Sequence, residues 1–142
     1  MSDQRLTPFI LDTSVLTAIA RGDPDIIALI QGYDSRNQPI VIPALAIAGA
    51  CLDARGEEAG DLVAGLELLD NVMVAPLNGS DQATWLAEVV ARTGLDPWDA
   101  HAAAIADVAI CPILTLNAAK WREHAADLDE PLHIVEIADP GD

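Results

Sequence analysis

The stretch FILDTSVLTAIARG, residues 9–22, decides the fold class of this chain. It begins with a short apolar run that ends at Asp12, which is typical of a buried β-strand. Apolar side chains then recur at helical spacing over residues 15–20, and Gly22 ends that helix. A strand that leads directly into a helix is the beginning of an α/β unit.

The same alternation continues along the chain. Predicted strands cover residues 9–11, 40–42, 72–75, 113–116 and 134–137. Predicted helices cover residues 15–21, 24–31, 43–55, 57–70, 81–93 (capped by Ser80), 97–109 and 120–125. Short, almost wholly apolar strands between helices predict a central parallel sheet of about five strands with helices on both faces. We therefore expect an α/β protein with three layers.

Composition and length limit what the chain can be. Its 142 residues fit one domain, residues 1–142, and 51% hydrophobic content with 21% charged residues excludes general disorder. Seven Lys and Arg residues against 23 Asp and Glu give a net charge of −16. Such an acidic chain is poorly suited to binding nucleic acid through phosphate neutralisation alone, whereas a basic polypeptide or a cation would suit it.

The sequence also indicates a compartment. The longest uncharged stretch, residues 37–52, contains two prolines and is too short to span a membrane, and the N-terminus lacks the features of a signal peptide. Cys51 and Cys111 lie 60 residues apart, and neither belongs to a CxxC motif or lies near a pair of histidines. Free thiols in a reducing compartment are the expected state, so we predict a cytoplasmic protein without membrane contact.

Polar side chains follow the predicted strands where ligands bind in open parallel sheets. Asp12 ends the first strand, Asn117 follows the fourth, and Asp96 and Asp99 begin the sixth predicted helix. Oxygen ligands of this kind favour Mg²⁺, which polarises a phosphoryl oxygen and activates an attacking water. Each residue also has a simpler interpretation. Asp12, Asp96 and Asn117 could cap helices, and Asp99 could be an acid in a first helical turn that the helix dipole stabilises.

Four segments in order resemble a PIN domain and are most similar to the VapC-type toxins of bacterial toxin–antitoxin pairs. They are FILDTSVLTAI (9–19), IPALAIAGACL (42–52), DPWDAHAAAIA (96–106) and PILTLN (112–117). The resemblance implies an α/β/α fold that cleaves RNA with Mg²⁺ or Mn²⁺ held by four acids. It places the first acid on Asp12 and the third on Asp99, but the second falls on Gly49 and the last on Asn117.

Two missing carboxylates predict weak Mg²⁺ or Mn²⁺ binding and reduced activity. We expect Asp12, Asp99 and Asn117 to form the catalytic group and Asp96 to assist the two aspartates as a metal ligand. Asp53 lies a helical turn beyond Gly49 and is too short to replace the lost acid. If the lost acids are the only defect, Gly49→Glu with Asn117→Asp should restore metal affinity and cleavage together.

Ser14, Thr115 and Lys120 are the predicted substrate contacts. Simpler interpretations are a local turn for Ser14, a strand position for Thr115 and a solvated helix face for Lys120. Trp98 lies beside the predicted site and is expected to pack there, although stacking on a base is the alternative.

Three functions fit these residues. The first is a metal-dependent endoribonuclease of reduced activity acting on RNA. The second is a catalytically inactive PIN-like protein whose acidic rim accepts an Arg-bearing segment of a basic, antitoxin-like partner. The third, a small phosphotransfer domain using Asp12, lacks the further acids that such a pocket needs. The family resemblance and the apolar helix surface also predict a homodimer.

Overall fold

A computed structural model describes residues 6–124 and 132–137 of the chain. Within these residues, strands and helices alternate in the predicted order. The strands are β1 (Phe9–Leu11), β2 (Ile40–Pro43), β3 (Val72–Ala75), β4 (Ile113–Thr115) and β5 (Ile134–Glu136). The helices are α1 (Thr13–Ala20), α2 (Pro24–Ser35), α3 (Ala44–Ala54), α4 (Ala59–Glu67), α5 (Gly79–Thr93), α6 (Pro97–Ala109) and α7 (Ala118–His124).

The described strands form one parallel sheet in the order β3-β2-β1-β4-β5. The chain moves outward from β1 to β3 and then returns to the other side of β1 with β4. Strand order therefore reverses between β1 and β4, where Leu11 pairs with Leu114. Ligands bind at such a reversal in open α/β sheets, so the residues that follow β1 and β4 are placed together at the expected position.

Helices cover both faces of the sheet. Ile10 and Ile113 point into a core formed with α5, α6 and α7. Leu11 and Leu114 point the other way, into a core formed with α1, α2, α3 and α4. Successive strand residues face opposite sides, and all four are fully buried. The predicted three-layer α/β arrangement is confirmed.

Several helix boundaries differ from the sequence prediction, and α2, for example, continues to Ser35, beyond its predicted end at residue 31. Helix α5 begins at Gly79, after an N-cap at Asn78, so the cap predicted at Ser80 is wrong. The backbone N–H of Asn78 donates to Gln82 Oε1 at 2.6 Å, which fixes the helix start upstream of Ser80. Helix α4 is shorter than predicted and ends at Glu67. Residue 125, the predicted end of the last helix, lies outside the described residues.

Two further predictions concern the environment of the protein. In the described part of the chain, no helix is both long enough and apolar enough to cross a membrane. Cys51 is half-buried and Cys111 is buried, and both are free thiols. Burial raises the pKa of the Cys111 thiol, which makes it less reactive.

Candidate functional site

Asp12 joins β1 to α1 and is fully buried. Its Oδ1 accepts hydrogen bonds from Ser14 Oγ at 2.6 Å and from the Val15 backbone N–H at 3.1 Å. Its Oδ2 accepts one from Trp121 Nε1 at 2.8 Å. Asp12 is therefore the N-cap of α1, as the simpler interpretation proposed, and it also binds groups from the far end of the chain.

Asp99 lies in the first turn of α6 and is almost fully buried. Its Oδ1 accepts a hydrogen bond from the Thr13 backbone N–H at 3.2 Å. This contact attaches the start of α6 to the start of α1. Asp12 and Asp99 therefore meet at the carboxyl end of β1, as the sequence predicted.

Lys120, on α7, joins the two aspartates. Its Nζ lies 2.8 Å from Asp99 Oδ2 and 3.5 Å from Asp12 Oδ2. The side chain is only 24% exposed, so the solvated helix face considered for it from the sequence is wrong. Its ammonium neutralises buried carboxylates, and this leaves it poorly placed to meet a phosphate.

Trp121 is a site residue that sequence reasoning missed. It is fully buried, its indole N–H binds Asp12, and its ring centroid lies 5.4 Å from Lys120 Nζ. One side chain thus orients the carboxylate and lies within cation–π distance of the ammonium. The only available signal was a tryptophan next to a lysine after a predicted strand, and this does not show where the ring points.

The hydroxyls predicted to contact substrate are bonded within the protein. Ser14 Oγ donates to Asp12 and accepts from the Leu116 backbone N–H at 2.9 Å. It also lies 3.3 Å from Thr115 Oγ1, which accepts from the Asn117 backbone N–H at 2.9 Å. These bonds connect the residues after β1 to those after β4. Ser14 and Thr115 therefore have a positioning role in this structure.

Asn117 is exposed, and its side chain caps the N-terminus of α7. Its Oδ1 accepts a hydrogen bond from the Lys120 backbone N–H at 3.3 Å, the geometry of an N-cap. The helix that carries Lys120 is therefore started by the residue that stands in place of the family's last acid.

A cleft of about 480 Å³ opens beside the aspartates. Its lining residues are Thr13, Ser14, Thr17, Gly49, Leu52, Asp53, Asp96, Trp98, Asp99 and Lys120. Asp96 occupies the N-cap position of α6, but its side chain makes no capping hydrogen bond. Asp53 Oδ2 lies 3.8 Å from Arg21, and both side chains are largely exposed. Asp53 and Asp96 thus give the cleft an acidic, solvated rim.

Gly49, on α3, is covered by the indole of Trp98. A Cβ atom built on Gly49 would lie 2.5 Å from Trp98 Cγ and 2.8 Å from Cδ1 and Cδ2. Trp98 is half-buried and packs against the core beside α3, so the expected packing role is supported. No side chain fits on Gly49 unless Trp98 moves. The double substitution expected to restore the site therefore faces a steric obstacle that the sequence does not reveal.

His101 also lies on α6, and its role is structural. Its Nδ1 accepts a hydrogen bond from the Leu45 backbone N–H at 3.3 Å, which requires that nitrogen to be unprotonated. Burial lowers the pKa of His101 and so favours the same neutral form.

The residues present do not fit the four-acid Mg²⁺ site of the resemblance. Lys120 binds the facing oxygens of both aspartates, and the remaining Asp12 oxygen accepts two other hydrogen bonds. Trp98 fills the space next to Gly49, and Asn117 caps a helix. Among residues 6–124 and 132–137, no group of three or more His, Cys, Asp or Glu residues is arranged to hold a metal ion.

Comparisons with known proteins agree on the fold. The family model described as PIN domain matches residues 9–127. A chain of VapBC2 from Rickettsia felis, bound to a DNA fragment from the promoter, has a TM-score of 0.62 at 13% identity over 92% of this chain and 99% of its own. A chain of DNA-bound VapBC from Salmonella typhimurium has a TM-score of 0.61 at 18% identity over 93% and 98%.

A third similar structure is PAE2754 from Pyrobaculum aerophilum, with a TM-score of 0.54 at 20% identity over 89% of this chain and 83% of its own. No curated protein matches the sequence at a significant level. At these identities the structural likeness concerns the fold and leaves the chemistry of the site to be argued from its residues.

Proposed function

The chain belongs to the PIN domain family, and from this premise we propose that it is a partner-binding protein of the toxin–antitoxin type whose metal-dependent RNA cleavage is strongly reduced. The proposal takes up the second of the functions that fit the sequence. It keeps the first only as a residual activity, in which Asp12, Asp99 and Asn117 would act on RNA with weakly bound Mg²⁺ or Mn²⁺.

One observation carries the proposal, namely the packing of Trp98 against Gly49. In the family resemblance this position bears a carboxylate. Here the position has no side chain, and the volume that a side chain would need is filled by an indole ring. The loss of the acid is therefore built into the packing of α3 against α6, because a side chain at position 49 requires the Trp98 ring to leave its present place.

The charge of the cleft supports a basic partner over an RNA substrate. Asp53, Asp96 and Asp99 line it, and Lys120, its one basic lining residue, is already paired. With a net charge of −16, the chain repels phosphates. Exposed carboxylates at the rim are suitable acceptors for the planar, two-pronged guanidinium of arginine. We therefore propose a basic, antitoxin-like protein with an Arg-bearing segment as the partner, and the cytoplasm as the compartment.

A single-turnover RNA cleavage assay in Mg²⁺ or Mn²⁺ tests the catalytic part. We expect the wild-type rate to stay near the protein-free background. Asp12→Ala tests the site, and Asp81→Ala, which removes an exposed acid on α5, is the matched control. Fast, metal-dependent cleavage that is lost in Asp12→Ala and kept in Asp81→Ala would show that two carboxylates suffice, and the proposal would be wrong.

Binding of a short Arg-rich peptide, followed by fluorescence anisotropy, tests the partner part. Asp53→Asn with Asp96→Asn should weaken binding about tenfold, because the rim loses both exposed acceptors. The control pair, Asp61→Asn with Asp81→Asn, changes net charge equally on exposed residues of α4 and α5. Equal weakening by both pairs would mean that the peptide senses overall charge and not the cleft.

A further inference from the structure

Lys120 is the single lysine in the chain, and it occupies the center of the candidate site. Its ammonium contacts Asp99 Oδ2 at 2.8 Å and Asp12 Oδ2 at 3.5 Å. The aspartate side chains are 6% and 0% exposed, respectively. Salt screens such a largely buried contact weakly, and the ammonium places a full positive charge in direct contact with both carboxylates.

The hydrogen bonds around the aspartates leave the space between the two Oδ2 atoms for a cation. Asp12 Oδ1 is bound by a hydroxyl and a backbone N–H, and Asp99 Oδ1 by another backbone N–H. The two Oδ2 atoms face the common space that Lys120 Nζ fills. Trp121 approaches the same space from the core, with its indole N–H on Asp12 Oδ2.

A divalent cation and the ammonium cannot share this space. Mg²⁺ binds carboxylate oxygens at about 2.1 Å, so an ion on Asp99 Oδ2 in the shared direction would nearly touch the nitrogen that lies 2.8 Å away. Like charges at such a distance repel strongly in a partly buried site. A divalent ion therefore has to displace Lys120 before it can bridge the two Oδ2 atoms.

The geometry points to Lys120 as the resident cation of the Asp12–Asp99 pair, in the position of a divalent ion. The ammonium balances the carboxylates and strongly weakens the binding of divalent metals. Removal of this amine turns the pair into a divalent-cation site, with two carboxylates and water as ligands. This inference rests on the proposed function, in which metal-dependent cleavage is strongly reduced, and adds the reason that metal binds weakly.

Mn²⁺ binding measured by electron paramagnetic resonance tests the inference without any activity assay. Wild type should show no saturable binding up to about 1 mM Mn²⁺. Lys120→Met keeps the length of the side chain without its charge and should bind at least about tenfold more tightly. Arg122→Met is the matched control, because it removes one positive charge from an exposed residue of the same helix. It should behave as wild type.

Removing Lys120 also leaves two buried carboxylates unbalanced, so the variant could lose its fold without metal. In that case refolding is measured with Mn²⁺ and with NaCl at equal ionic strength. Recovery of the native circular dichroism spectrum in Mn²⁺ alone supports the inference, and the absence of recovery contradicts it. Saturable Mn²⁺ binding by wild type, at the affinity of Lys120→Met, also contradicts it.

The outcome is separable from that of the proposed function. Fast, metal-dependent RNA cleavage by wild type that is lost in Asp12→Ala would overturn the proposed function whatever the Mn²⁺ titrations show. Equal Mn²⁺ affinities in wild type and Lys120→Met would overturn only the assignment of Lys120, since a weak site can bind metal and still fail to cleave RNA.

Discussion

Gly49 and Trp98 meet so closely that even a methyl group on the glycine has no room. The nearest ring atom, Trp98 Cγ, is attached directly to the tryptophan Cβ and can move only with the whole side chain. Gly65 provides a contrast within the same molecule. It lies in α4, and a Cβ there meets nothing within 4 Å.

Alanine at the two glycines should therefore have opposite effects on stability. Gly65→Ala should raise the free energy of unfolding by up to about 1 kcal/mol, the helix propensity difference. Gly49→Ala should lower it by about 1–3 kcal/mol, because overpacking outweighs the propensity gain. Urea denaturation followed by circular dichroism measures both. Equal stabilisation at the two positions would show that Trp98 yields easily and that its contact does not constrain position 49.

Sequence reasoning located the aspartates of the site but not their partner. Asp12 and Asp99 follow from strand ends and an early helix turn, features that neighbouring residues establish. Lys120 follows Asp99 by 21 positions and Asp12 by 108 positions in the sequence. A lysine on a short helix gives no sign that it contacts residues so distant along the chain. The Trp98 contact was missed for the same reason, since a glycine in a helix does not show what covers it.

Helix α7 is the element that delivers Lys120, and Asn117 begins it. Its capping bond predicts a ranking among substitutions at this position. Asn117→Ala should cost about 1 kcal/mol of folding free energy, whereas Asn117→Asp should stay within about 0.5 kcal/mol of wild type, because aspartate caps equally well. Chemical denaturation tests the ranking. An Asp variant as unstable as the Ala variant would mean that repulsion from the buried aspartates exceeds the value of the cap.

The strands and most helices could be predicted because their signals are local. Short apolar runs marked every strand, and Pro97 and Gly94 marked helix ends that the structure confirms. The predicted start of α5 was wrong because Asn78 and Ser80, which can both cap a helix, lie close together. The side chain of Gln82, four residues after Asn78, decides between them by accepting the Asn78 N–H. Element type was therefore clearer from the sequence than element boundaries.

At the scale of the whole molecule, several large apolar side chains remain exposed. Val108 and Ile110, at the end of α6, are 75% and 77% exposed. Val108 also borders an apolar groove of about 450 Å³ that includes Leu77 and Trp85. Exposed apolar side chains beside an apolar groove favour association of two copies.

The predicted homodimer should therefore use the end of α6. Sedimentation velocity at tens of micromolar should give about twice the monomer mass for wild type. Val108→Asp should shift the protein to monomer, because a dimer interface would bury the new carboxylate. Leu68→Asp, at an exposed residue after α4, serves as the control and should remain dimeric. A wild-type protein that sediments as a monomer throughout would refute the prediction.

The indole above Gly49 also constrains the order in which mutations could accumulate along a lineage. A single codon change to an acid at this position brings the new side chain against the ring and is expected to destabilise the fold. Trp98 must first move or become smaller, and a smaller residue gives up part of its packing against the core. Even then the new acid would face a pair already neutralised by Lys120. Acquisition of a metal site thus requires several changes, and the mutational path to it begins with a less stable protein.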